Sequence, residues 1–106
     1  MLEKRHYKVD FSTIKNGWDI HAVLDKSLNF FDYQGDLDSL YDCLTNMLCY
    51  ISIIEIHGIE KLRQFDGYDK RLLEVFYDAK HNWGEEFSDR FLVTVVYKDG
   101  TREEIK

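Results

Sequence analysis

The chain has no proline and only two cysteines among its 106 residues, and no stretch of it is repetitive or of low complexity. Without such punctuation nothing marks a linker, and the length suits one domain spanning 1–106. Cys43 and Cys49 stand six apart, which suits neither a secreted disulfide framework nor a Cys-x-x-Cys redox or zinc pair. Both are therefore expected to be buried thiols in a reducing cytosol. No apolar run approaches the length of a membrane span, and the start, Met1 to Tyr7, lacks the apolar centre of a secretion signal. The expectation is a cytoplasmic protein. A Gly-rich phosphate loop is also missing, and the histidines His6, His21, His57 and His81 are too scattered to form a metal-ligand pattern with each other or with a cysteine.

Positive charge is missing over a third of the chain. From Ser27 to Glu60 there is no Lys or Arg, while Asp32, Asp36, Asp38, Asp42, Glu55 and Glu60 all fall there. The whole chain carries −6 at pH 7. This works against nucleic acid or an anionic membrane as a direct ligand and favours a basic protein partner. A composition 44% hydrophobic and 32% charged is that of a folded domain rather than a disordered one.

Apolar spacing supplies the elements. Tyr7, Val9, Phe11 and, after a shift, Ile14 predict a first strand over 6–14, closed by Asn16-Gly17. Ile20, Val23, Leu24 and Leu28 share one face of a first helix, with Asp19, Lys26 and Asn29 opposite. Leu37, Leu40, Leu44 and Leu48 form the stripe of a second helix over 36–47, widened by Cys43 and Met47, with Gly35-Asp36 as its start because Asp caps orphan amides. Tyr50 to Ile56 is nearly continuous and β-branched, which predicts a central strand covered on both faces. A helix over 72–81 and a strand over 91–97 complete the order β-α-α-β-α-β, an α/β fold with a parallel sheet and right-handed crossovers. Asp99-Gly100 can start a hairpin returning through Thr101 to Ile105.

On a helical wheel Asp38, Asp42 and Thr45 share one side of the second helix, with Tyr41 at its border. Like charges four apart repel. Asp36 and Asp38 lie in the first turn, where the helix dipole offsets that cost, but Asp42 lies too far along. A carboxylate dyad for acid/base chemistry needs a cleft that separates the two pKa values, and one side of a surface helix gives no sign of one, so the chain is not expected to be an enzyme. His21 reads as a helix-face or capping residue. Trp18 and Trp83, without interleaved basic residues, read as core rather than as base-stacking groups.

The segment from Tyr33 through Gly35-Asp36-Leu37-Asp38 and Tyr41-Asp42-Cys43-Leu44 to Thr45 resembles the signature of the barstar family, intracellular inhibitors of secreted bacterial ribonucleases. Asp19 to Leu24, Tyr50 to Ile56 and Leu72 to Lys80 are similar to further family segments in the same order, so the resemblance covers most of 8–97. It implies a three-stranded parallel sheet packed by three to four helices, to which the C-terminal hairpin read from Asp99-Gly100 would be an extension, and no cofactor. It also implies roles: Asp42 at the phosphate site of a basic extracellular-type ribonuclease, Asp38 paired with basic residues, and Tyr41 packed at the interface. Tyr33, Asp36, Thr45 and Asp78 would be further partner contacts, and the free protein would be a monomer. Cys43 would match a buried family cysteine. Relative to the family pattern, Gly35 stands one residue nearer the Leu-Asp pair, Asp36 replaces Asn, Tyr41 replaces Trp, Asn46-Met47 replaces Gly-Trp, the stretch from His81 to Arg90 is longer, and the tail after Tyr97 is extra. The alternative on the same fold is an acidic interaction module that binds a different basic protein without stopping RNA cleavage. A small hydrolase using the Asp pair is a third reading, which turnover by the isolated protein would reveal.

Overall fold

The computed structural model describes residues 3–30, 33–46 and 50–106. Asp32, Met47, Leu48 and Cys49 lie outside the described residues. The elements follow one another as β1 (Lys4–Asp10), α1 (Trp18–Leu28), α2 (Leu37–Thr45), β2 (Ile51–His57), a 3-10 segment (Ile59–Gln64), α3 (Tyr68–Asn82), a single turn α4 (Gly84–Phe87), a short 3-10 turn (Ser88–Arg90), β3 (Phe91–Val96) and β4 (Arg102–Glu104). The sheet order is β1-β2-β3-β4; β1–β2 and β2–β3 are parallel and β3–β4 antiparallel. The fold is α/β with a mixed sheet, and its parallel part is the three-stranded sheet expected.

One face of the sheet carries the core. Val9, Ile54, Ile56, Val93 and Val95 are fully buried in register across three strands, and the helices lay Ile20, Leu24, Leu28, Leu40, Leu44, Leu72, Phe76 and Ala79 against them. The other face does not close. In β2, Ser52, Ile54 and Ile56 are buried, while Ile51, Ile53, Glu55 and His57 are only half-buried. This corrects the expectation of a strand covered on both faces. Its β-branched continuity reflects a central place between β1 and β3, which shelter the outer isoleucines from the sides, rather than a second helical layer.

The first strand ends at Asp10 rather than near Ile14, because the Asp10 carboxylate accepts from the Ser12 amide at 2.9 Å and turns the chain. Phe11 and Ile14 remain buried beyond the strand. The Asn16-Gly17 turn opens α1: Asn16 Oδ1 accepts from the amides of Trp18 and Asp19 at 3.0 and 3.2 Å. Helix α3 begins at Tyr68, four residues before the predicted start, because Gly67 in the left-handed region (φ +70) sets the break just ahead of it. The segment before it was not anticipated as an element. Ile59 and Leu62, three apart, both turn inward there, as the three-residue period of a 3-10 helix requires. The hairpin after β3 is present: Asp99 accepts from the amide and hydroxyl of Thr101, Gly100 takes φ +92, and Ile105 is tucked back into the core.

The tryptophans divide. Trp83 is buried and stacks on Phe91, with ring centroids 6.0 Å apart. Trp18 is 88% exposed, against the expectation that both are core. At the first position of α1, two residues before the buried Ile20, it falls on the outward side of the helix. The longer stretch after α3 is held by Lys80, whose ammonium donates to the carbonyl oxygens of Ser88 and Phe91 and whose pKa burial lowers.

Gly58 ends β2 at the closest backbone approach of any glycine. It takes φ +73, and a Cβ there would sit 2.5 Å from the Ser12 backbone nitrogen. Gly58→Ala therefore combines left-handed strain with a clash against a chain that has no flexible end to move. It is expected to cost about 2 kcal/mol or more in urea unfolding, with an unchanged m-value.

Candidate functional site

Helix α2 positions the acidic face. Leu40 and Leu44 are fully buried and seat it on the core and against α3, which leaves its other side to solvent. Its start is built by side chains: Asp36 Oδ1 accepts from the Ser39 amide at 2.7 Å, and Ser39 Oγ accepts from the Gln34 amide at 2.9 Å. Asp36 is thus the N-cap that its sequence position foretold. Its bond fixes the start of the helix and hence the direction in which the following carboxylates point.

Asp36, Asp38 and Asp42 are all exposed, and all three line one groove of about 640 Å³. Ser39, Cys43 and Asn46 complete the α2 wall, and Asn29, Phe30, Gln34 and Tyr50 contribute from outside it. Among the described residues no ion pair neutralises any of the three carboxylates; the cations that pair at all do so with Glu3, Glu55, Asp66 and Asp69. No group of three or more His, Cys, Asp or Glu among the described residues is arranged to hold a metal ion. The arrangement is a shallow negative trough suited to cations brought by another molecule.

The other expected contacts lie around it or away from it. Thr45 is half-buried, and its hydroxyl donates to the Tyr41 and Asp42 carbonyls at 3.0 and 3.1 Å, turning back on its own helix. Tyr41 is half-buried and packs on the core cluster. Asp78 is exposed on α3, the helix packed against α2, and does not line the groove. Cys43 is half-buried on the groove wall rather than in the core. It stands one position before the fully buried Leu44, and that rotation turns its side chain toward the flank.

Tyr33 is held through His21, whose place in the sequence suggests only a helix-face or capping role. The Tyr33 hydroxyl is bonded to His21 Nδ1, and His21 Nε2 is bonded to the Tyr68 hydroxyl at 2.7 Å. One imidazole thus ties α1 to the loop before α2 and to the start of α3. Burial raises the pKa of both tyrosines and lowers that of His21, an effect the nearby Asp36 charge opposes in part. The neutral ring donates to one tyrosine and accepts from the other, an arrangement lost when both nitrogens carry protons. A histidine with a depressed folded-state pKa binds its proton more readily in the unfolded chain. Its contribution is complete above the unfolded value of about 6.5 and is lost as pH falls through that value toward the folded one. Stability is therefore expected to decline between pH 7.5 and 5. In His21→Phe the part of that decline due to His21 should vanish, while stability at pH 7.5 drops by about 1–3 kcal/mol from the two orphaned hydroxyls. Thermal unfolding across that pH range checks both.

Residues 5–96 match the model of the family described as Barstar (barnase inhibitor). The chain is an α/β protein whose mixed sheet is packed by helices, one of which turns an acidic side to solvent. The match covers most of the chain, and the chain belongs to the barstar family. Members of that family bind and inhibit ribonucleases of the barnase type and are not themselves enzymes. The match ends at Val96, so β4 and the residues around it lie beyond it.

Proposed function

We propose that this chain is a cytoplasmic inhibitor of a basic ribonuclease, and that it masks the enzyme's active site with the outer side of α2. The observation that carries the reading is the groove in which Asp36, Asp38 and Asp42 stand exposed with no paired cation among the described residues. A ribonuclease holds phosphates with Lys, Arg and protonated His. Carboxylates fixed on a helix can occupy the same positions and form charge-assisted hydrogen bonds there. Asp42 is assigned to the phosphate-binding cations and Asp38 to their neighbours, with Tyr41 and Thr45 packing beside them and Tyr33 at the loop edge. Asp36 acts mainly by holding the helix start, and Asp78 contributes from α3 at the rim. The net charge of −6 adds long-range attraction for a basic partner.

Capture on the immobilised protein tests this. Basic proteins secreted by the producing cell are passed over it, and RNA cleavage is assayed before and after its addition. A ribonuclease should be retained at low salt, lose activity, and bind more slowly as ionic strength rises. A retained basic protein whose cleavage of RNA continues, or one without such activity, would favour the interaction-module reading instead.

A further inference from the structure

Among the described residues the most exposed large apolar side chain is Trp18, at 88%, and it lines a cleft of about 380 Å³ together with His21, Gly35, Phe65 and Tyr68. That cleft adjoins the acidic groove. Gly35 lines the cleft, while its chain neighbours Gln34 and Asp36 line the groove, so one short loop forms the wall between them. His21 and its bonds to Tyr33 and Tyr68 stiffen the same wall. An indole left in water at such a place is not needed by the core, where Ile20, Leu24 and Leu28 make the inward face of α1.

We propose that Trp18 and this cleft are a second part of the partner-binding face, and that the indole takes an arginine or lysine side chain of the ribonuclease whose active site meets α2. The inference rests on the function proposed above and adds to it where a second group of the partner docks. Three features select that occupant. A tryptophan face is the best aromatic acceptor for a cation. The proposed partner is basic, and the adjoining groove holds three carboxylates, with no ion pair among the described residues, that attract cations to this side of the molecule. Tryptophan and arginine are also the residue types that most often dominate interface energetics. The acidic groove then supplies a salt-sensitive part of the binding and Trp18 a part that is less so.

The test uses the full chain, the captured ribonuclease, and Trp18→Ala, Trp18→Phe and Trp18→Lys. Because the side chain is exposed, all three variants should unfold at the wild-type midpoint. Trp18→Ala should raise the dissociation constant about tenfold or more, mainly through faster dissociation. Trp18→Phe should recover part of the loss, and Trp18→Lys should bind more weakly than Trp18→Ala because it repels the incoming cation. In the free protein the fluorescence lost in Trp18→Ala should be open to acrylamide quenching, and in the complex it should be shielded. If the wild type inhibits the ribonuclease but Trp18→Ala binds equally well and the indole stays quenchable, the inference is wrong and the proposed function stands. Trp18→Lys binding as well as Trp18→Ala would exclude a cationic occupant. A concentration-dependent dimer of the free protein that Trp18→Ala abolishes would assign the patch to a second copy of the chain. Failure of the wild type to bind any ribonuclease would overturn both readings.

Discussion

Asp42→Ala is expected to weaken binding of the proposed ribonuclease partner by about thirtyfold or more and to leave this protein at least as stable as before. The two halves of that result come from different physics. Asp42 is exposed in the last turns of α2, beyond reach of the favourable dipole at the helix start, and no cation among the described residues answers it. In the free protein it only repels Asp38 one turn away. Its removal should therefore be neutral or stabilising by a few tenths of a kcal/mol. In the proposed complex the same carboxylate would meet cations in a site closed to water. Truncating one partner of such a pair costs about 2–5 kcal/mol, because the opposite charges are left buried and unanswered. The barnase–barstar complex is itself the reference case for truncations of this kind, so that range reflects the family as well as this groove. Calorimetric unfolding and inhibition titration of the same preparation separate the two effects. A variant that loses inhibition only because it has unfolded would show a lowered midpoint, which this account does not allow.

Phe76→Ala should have the largest effect on stability. Phe76 is fully buried at the inward centre of α3, in the cluster that also holds Leu40 and Leu44 of α2. Deleting the ring removes its transfer free energy and leaves a cavity that two helices and a sheet cannot fully close, at a cost of about 3–5 kcal/mol. For a domain whose whole stability is about 5–15 kcal/mol, this is a large fraction. Urea unfolding should show the midpoint falling sharply. Because α2 rests on α3, inhibition should fail at temperatures where the wild type is still fully active.

The acidic face was legible because two strong local rules coincide there. The leucine stripe of α2 fixes which side turns inward, and Asp36 before it has the chemistry of a cap, so the direction of Asp38 and Asp42 follows from helical period alone. The parallel order of three strands was legible for a similar reason, since each is separated from the next by at least one amphipathic helix. The residues by themselves conveyed a face and its sign. The assignment to a ribonuclease came from the family relationship, which the match over 5–96 supports.

What remained hidden depends on contacts between distant residues or on spacing that no common period describes. Ile59 and Leu62 fit the short period of a 3-10 turn and look like scattered apolar residues in an α-helical or strand reading. His21 is linked to Tyr68, 47 positions along the chain, and nothing local announces that link. Ile51 and Ile53 look fully buried in sequence because a β-branched run reads the same whether a second layer or only neighbouring strands shelter it. Trp18 lies at the first position of its helix, where the apolar period has not yet begun, so composition suggested core and the structure places it outside. Asp78 could be matched to a family position, but its placement relative to the groove depends on how α3 packs against α2.

The central claim is tested most directly by titrating a fixed amount of the captured ribonuclease with this protein and following RNA cleavage at low ionic strength. The expected result is a linear fall in activity that reaches zero at one equivalent. A stable complex that still cleaves RNA at the rate of the free enzyme would contradict the account, because it would mean that α2 does not occupy the active site.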